Sequence, residues 1–398
     1  MRTLPLYIAL FFGLLMAGCG KKDAASEQKA PRFNDNGLPI LHRLSPSFAP
    51  LKPQQVQQKK NDIAHYFQSV WSESNDNVSF LVAQNGHILF EKYVGYAHRN
   101  KKEAIEANTP LHIASVSKVL TATAILMLVD AKKLQLDQKV TEFYPEFPYP
   151  EVTVLTLLNH RSGMRNYAYF TYDKNVWDTH NNLTNADLIP LMIEKNISLE
   201  YPTNTHFSYC NTNYALLALI IEKTTGLSYP EAMRQMIFEP LGMKHSFVFE
   251  MNKHKGQVAP SYKGNNMELA FDYLDGVYGD KNIFSTPRDL LIFDMARYNK
   301  DFLNPDLVKK MYSGYSYEHK GKKNYGLGIR MIEFDKGEPF YFHNGWWHGN
   351  TSSYINLRKE KVTIIALSNK YTKKTYTSKK LAGLFGNYPF HPKGEGEE

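Results

Sequence analysis

Segments with β-forming composition lie near both ends of this 398-residue chain, with a long helical stretch between them. That order restricts the folds open to it. Near the start, "VSFLVAQNGHILFEKYVGYA" (78–97) holds two β-rich runs joined by Asn85-Gly86, a pair suited to a tight type I′ turn. Towards the end, "YGLGIRMIEF", "EPFYFH", "TSSYINL" and "KVTIIALSN" read as strands. Between about 150 and 310 the pattern is helical. "TVLTLLNHRSG" reads as a short helix ended by Gly163, and "NTNYALLALIIEKTTG" as a helix from Thr212 to Lys223 ended near Gly226. "YPEAMRQMIFEPLGM" places Pro230 in a first turn, and "STPRDLLIFDMARY" offers Ser285 or Thr286 as N-cap. Further helices are expected over 54–71, 115–132 and 376–386. Strands from both chain ends are expected to share one sheet. The expectation is an α/β fold: an antiparallel β-sheet flanked by helices, a mostly helical subdomain, and a site in the cleft between them.

One residue in the second of these further helices is out of place. "HIASVSKVLTATAILM" (112–127) is apolar or small except for Lys118, the only formally charged residue from Ala107 to Val129. A helix this apolar is normally buried, and a lone buried ammonium is costly. Ser115 is three residues earlier, which on a helix puts both side chains on one face. Ser117 points elsewhere. At the helix start Ser115 feels the positive end of the dipole, and burial disfavours the charged form of Lys118, so the lysine can take or relay the serine proton. The plain alternative is a capping serine with a lysine that reaches out to water. A second Ser-x-x-Lys, Ser26 to Lys29, lies in a polar stretch and carries no such meaning.

Two further elements point the same way. "FSYCNTNYALL" contains Tyr209-x-Asn211 just before a helix. A tyrosine beside a cation can work as general base and acid, and Asn211 offers a donor and an acceptor to an amide-like group. Asn211 also suits a simple helix cap. Tyr354-x-Asn356 repeats the spacing in an expected strand, where a structural role fits better. "FHNGWWHGNTSS" contains His343-x-Gly345, placed at the end of one strand or the start of the next. The glycine lets backbone N–H groups approach a ligand.

Ser-x-x-Lys, Tyr-x-Asn and His-x-Gly in this order resemble the penicillin-recognising serine hydrolases, which include class C-type β-lactamases, D-alanyl-D-alanine peptidases and related esterases. The flanks "LLNHRSGM", "GDKNIFSTPRDLLIFD" and "NYGLGIRM" resemble the class C-like branch, and the likeness runs over about residues 60–385. It implies that Ser115 is the acylated nucleophile, Lys118 its activating partner and Tyr209 the proton shuttle to the leaving group. Asn211 then contacts the acyl side. His343 stands near the substrate carboxylate or the Tyr209 hydroxyl, and the backbone N–H groups of Ser115 and of Trp346, after Gly345, form the oxyanion hole. No metal or organic cofactor is implied. His343 departs from the lysine of other members. Lysine is a fixed charge and histidine mostly neutral at pH 7, which favours a peptidase or esterase over an efficient β-lactamase. Trp346 and Trp347 either flank the site or pack. Cys210 is expected to be a small packed residue.

The N-terminus reads as an export signal. Met1-Arg2 precedes "LPLYIALFFGLLMA", and "LLMAGC" resembles a bacterial lipobox, which implies lipid on Cys19. With Cys19 lipidated, Cys210 is left unpaired. The net charge is +8, but residues 20–60 carry eight Lys/Arg against three acids, a net of +5 on a Pro/Gln/Lys-rich tether. A nucleic-acid binder concentrates charge on a folded face, so no nucleic-acid partner is expected. The expected organisation is a signal peptide (1–18), a lipid-anchored linker (19–55), a hydrolase domain (56–388) and a polar tail (389–398). The expected protein is a monomer in the cell envelope, held to the membrane by Cys19. The absence of Asp directly after Cys19 leans towards the outer membrane, facing periplasm or cell surface. The expected activity is acyl-enzyme hydrolysis of a small amide, peptide or ester. The alternatives are a true β-lactamase and a non-catalytic cell-wall ligand binder.

Overall fold

The computed structural model describes residues 32–43, 48–73, 75–318 and 321–392. The export segment, Cys19 and residues 393–398 of the tail lie outside the described residues. Helix α1 (Pro53–Val70) starts with proline in its first turn and buries Ile63, Tyr66 and Phe67. Strands β1 (Val78–Gln84) and β2 (His87–Val94) form the expected hairpin, turning on Asn85 and Gly86 with φ of 52° and 75°. Helix α2 (Ser117–Asp130) follows a 3-10 turn over Ala114–Val116 and is buried almost throughout. The middle of the chain includes α3 (Val154–Leu158), α4 (Asn211–Thr225) and α5 (Pro287–Ala296). The Thr153 hydroxyl caps α3, Thr286 caps α5, and Gly226 ends α4.

Strands β3 (Lys323–Tyr325), β4 (Arg330–Ile332), β5 (Phe340–Trp347), β6 (Asn350–Leu357) and β7 (Val362–Ser368) complete a seven-stranded antiparallel sheet. Its order is β3-β4-β5-β6-β7-β1-β2. The first strand therefore pairs with the last, with Ser79 opposite Leu367. Both faces of the central strands are covered, with the period-2 alternation of a strand. Phe80, Val82, Ile364 and Ala366 pack with α1 and the C-terminal segment, while Leu81, Ile365 and Leu367 pack towards the helical region.

Several expectations shift in detail. "YGLGIRMIEF" is not one strand but the β3–β4 hairpin, bent at Gly326–Gly328. Gly328 has φ +84°, and a Cβ on it would come 2.2 Å from Ala122 Cβ on α2, so no side chain fits there. α3 stops at Leu158, before the expected Gly163, and the last helix is 3-10, Lys374–Leu384. Residues 32–43, expected in the spacer, pack on the domain: Leu38 and Leu41 are buried, and Leu41 N–H donates to the Met236 carbonyl at 3.0 Å. Among the described residues, packing on the domain therefore includes this segment N-terminal to 56.

Candidate active site

Ser115 sits in the 3-10 turn that leads into α2 and is half-buried. Ala114 before it has φ +48°, an uncommon conformation for a residue with a Cβ. The bend is held from behind: Ala114 N–H donates to His112 Nδ1 at 3.1 Å, and Ser352 Oγ donates to the Ile113 carbonyl at 2.6 Å. Burial pushes the His112 imidazole down to about 4, so it is a neutral acceptor.

Lys118 is 0 % exposed, one turn along α2. Its Nζ donates to Ser115 Oγ at 3.0 Å, Asn211 Oδ1 at 2.9 Å and the Asp280 carbonyl at 2.8 Å. Three acceptors match the three N–H bonds of an ammonium, which offsets the cost of taking it out of water. The lysine does not reach out to solvent. Ser117 faces away and accepts from Ile283 N–H at 3.2 Å.

Tyr209 and Asn211 flank the start of α4, whose N-terminus delivers Asn211 to the lysine. Lys118 Nζ lies 5.0 Å from the Tyr209 ring centroid, and Arg330 Cζ 4.4 Å from it. Burial opposes ionisation of the Tyr209 phenol. The charges of Lys118 and Arg330, with the nearby Ser115 and Lys118 side chains, outweigh it and hold the phenol below the ordinary tyrosine value. The His160 ring packs 4.4 Å from Tyr209 and 4.7 Å from Tyr325.

His343 lies inside β5, not at a strand end. It is fully buried, with Nε2 3.1 Å from Tyr325 OH and Nδ1 2.9 Å from the Asn344 carbonyl. Burial, then the charges of Arg330 and Lys118, push it well below the usual histidine value. It is a neutral group behind the site, 6.3 Å from Tyr209 ring to ring. Gly345, two residues on, brings β5 against the nucleophile turn. A Cβ there would fall 2.3 Å from Ser352 Oγ and 2.6 Å from the Ile113 carbonyl. The Tyr376 hydroxyl donates to the Gly345 carbonyl at 2.9 Å, fixing this stretch beside Ser115. Trp346 follows with its side chain 63 % exposed, an apolar shelf rather than core. Trp347 packs inward, its Nε1 donating to Asp275 at 2.6 Å. Cys210 is buried and free, and burial raises its thiol to about 11.

All the motif residues thus converge except that His343 stands one layer back. Arg330, His160 and the Asp280 carbonyl were not legible as site groups. Arg330 had a signal of the kind that marked Lys118: it is the only charged residue between Lys323 and Glu333. Asp272, Asp275 and His348 lie close enough together to hold a cation, but His348 Nε2 pairs with Asp275 at 3.0 Å. A cavity of about 400 Å³ opens beside Tyr209, lined by Met164, Tyr169, Phe170 and Glu200 among others. Its volume falls in the general range of small-molecule sites, and Tyr209 is the site residue that lines it together with Cys210.

The Beta-lactamase family model matches residues 64–384. "Penicillin-binding protein 4*" of Bacillus subtilis is 29% identical over 332 residues, 79% of this chain and 72% of that protein. "Teichoic acid D-alanine hydrolase" of Staphylococcus aureus is 26% identical over 369 residues, 91% of this chain and 87% of that one. The crystal structure of a penicillin-binding protein from Bacillus halodurans superposes with a TM-score of 0.70 at 23% identity, covering 81% of this chain and 98% of that one. A buried lysine bonded to a half-buried serine, on a fold and a sequence shared with these proteins, leaves one conclusion: the chain belongs to the Beta-lactamase family and is a serine hydrolase.

Proposed function

We propose that this chain is an exported serine hydrolase that cleaves D-aminoacyl esters or peptides of the cell envelope through an acyl-enzyme on Ser115. The observation that carries the reading is that the buried Lys118 Nζ donates to both Ser115 Oγ and Asn211 Oδ1. In this reading Tyr209, poised towards its phenolate, takes the Ser115 proton as Oγ attacks the carbonyl and returns it to the leaving group. Lys118 Nζ donates to the Ser115 oxygen and to Asn211 Oδ1, holding the two in place. The backbone N–H groups of Ser115 and Trp346 take the developing oxyanion, and Asn211 meets the acyl side. Water then clears the ester. The D-aminoacyl preference is supported by the relative named for D-alanine hydrolysis, which aligns along most of both chains. Export with a lipid on Cys19 is the reading of the N-terminal sequence.

The test is intact-mass measurement of the domain from Arg32 with a penicillin and with an N-acetyl-D-alanyl ester, alongside Ser115→Ala. An acyl adduct on the native protein only, with ester turnover, is expected. Rapid penicillin turnover without a lasting adduct would make it a β-lactamase. Equal behaviour of native protein and Ser115→Ala would remove Ser115 from the chemistry. Export is tested separately: Cys19→Ala should move the full-length protein from the membrane to the soluble fraction.

A further inference from the structure

One buried chain of side chains runs behind the nucleophile and has no part in the reading above. It starts at Ala114 N–H, which donates to His112 Nδ1 at 3.1 Å. A neutral imidazole that accepts at Nδ1 carries its proton on Nε2. That nitrogen lies 3.1 Å from Asn282 Oδ1 and donates to it. The Asn282 amide nitrogen donates in turn to the Asp275 carbonyl at 2.6 Å. The Asp275 carboxylate then accepts from Trp347 Nε1 at 2.6 Å, besides pairing with His348. His112, Asn282 and Asp275 are all buried, so the chain is screened from water.

Its two ends are the neighbours of the two oxyanion donors. Ala114 precedes Ser115, and Trp347 follows Trp346. Ala114 has φ +48°, a conformation that a residue with a Cβ keeps only where its surroundings hold it. The peptide before it is pinned at both ends, its N–H on His112 Nδ1 and its carbonyl, that of Ile113, under Ser352 Oγ. With that peptide fixed, the turn at Ala114 sets the direction of the next N–H, that of Ser115.

We propose that His112 and Asn282 are positioning residues that fix the two oxyanion donors relative to one another, through the buried relay from Ala114 to Trp347. The inference rests on the reading above, with Ser115 as nucleophile and the N–H groups of Ser115 and Trp346 as the donors. Neither His112 nor Asn282 touches the substrate. Each acts through the backbone or side chain next to it.

Three single variants test it. Asn282→Gly removes both side-chain bonds at a position with φ +72°, which glycine adopts freely. His112→Phe removes both bonds of the ring. His112→Asn restores only the near one, because an asparagine oxygen accepts from the N–H two residues on. In single-turnover acylation by an N-acetyl-D-alanyl ester, Asn282→Gly and His112→Phe should be slower by about tenfold to a hundredfold, with ester Kd within about twofold of native. His112→Asn should fall between them and the native protein. A boronic acid analogue of the ester, to which Ser115 Oγ adds to give a tetrahedral anion, should bind more weakly by a similar factor. The pH limb of Tyr209 should not move, since it reports the phenol and not the donors. Asn282→Gly combined with Trp347→Phe should be no slower than the slower single variant, because both cut one relay. Native acylation in Asn282→Gly, or losses that multiply in the double variant, overturns the proposal. So does a fall in melting temperature without a fall in rate. Ester cleavage that persists in Ser115→Ala would instead sink the nucleophile assignment, so the two failures are distinct.

Discussion

Lys118 on α2 and Asn211 at the start of α4, 93 residues apart in sequence, are joined by a 2.9 Å hydrogen bond from Nζ to Oδ1. The bond ties the nucleophile helix to the helical region, and it is the contact through which the second motif completes the first. Lys118→Met keeps the volume and removes the ammonium. Acylation of Ser115 should fall by about a thousandfold or more, in line with loss of an activating group. Stability should move little, within about 2 kcal/mol, because the cost of unpaired acceptors is offset by no longer burying a charge. Intact-mass kinetics and thermal melts decide it. A collapse of the fold would mean that Lys118 is mainly a structural tie.

Tyr209 gives the pH profile. The cations beside it favour the phenolate, so kcat/KM should rise with pH along a limb centred below the ordinary tyrosine value. Tyr209→Phe should lose that limb and about a hundredfold to ten-thousandfold in rate. Removing one cation, in Arg330→Gln, should move the limb to higher pH. A limb that stays put in both variants would assign it to another group.

The hairpin that follows Gly345 is clamped by an ion pair. His348 Nε2 lies 3.0 Å from Asp275, and Asp275 also accepts from Trp347. Burial lowers the His348 value, but the bond and charge of Asp275 outweigh it and raise it. The sign follows from linkage: a raised folded value means that the contribution is complete below the unfolded value of about 6.5 and is lost as pH rises through the folded one. Asp275 is held low and keeps its share until acid protonates it. Denaturant melts from pH 5 to 9 should therefore show an alkaline loss that Asp275→Asn abolishes. Identical slopes in the two proteins would exclude the pair as its source.

Gly345→Ala tests the close approach of β5 to the nucleophile turn. The new Cβ would overlap Ser352 Oγ and the Ile113 carbonyl, both backed by the sheet. Overpacking of this kind costs about 1–3 kcal/mol. The displaced turn should slow acylation by about a hundredfold, the sensitivity expected when reacting groups move by an ångström. Full activity in this variant would show that the backbone after Gly345 takes no part.

What could be read from the sequence was what is local or charged against its surroundings. The Asn85-Gly86 turn, the Thr286 cap and the Gly226 stop announce themselves within a few residues. Lys118 was legible because an apolar run isolates it. The repeated Tyr354-x-Asn356 pattern was separable by its strand setting, and both residues hold a buried Asp294: Tyr354 through its hydroxyl and Asn356 through its amide at 2.8 Å. Long-range register was not legible. Nothing near His343 says that its ring bonds Tyr325 and sits behind the site, and nothing near Arg330 says that its charge meets Tyr209. Nor was it legible that the bend between β3 and β4 packs Gly328 against the Ala122 methyl, a contact between distant parts of the sequence.

Pairing of the first strand with the last has a bearing on how the chain comes to life. Ser115, Lys118, Tyr209 and Asn211 are all made before residue 212, yet the turn that holds Ser115 leans on β5 and β6, and β1 finds its inner neighbour only in β7. Contacts this distant form late. A chain cut before Val362 carries every reactive side chain but lacks β7, the strand that joins β1 to β6 in the sheet. The order of strands ties the support of the nucleophile turn to the last part of the chain to be made.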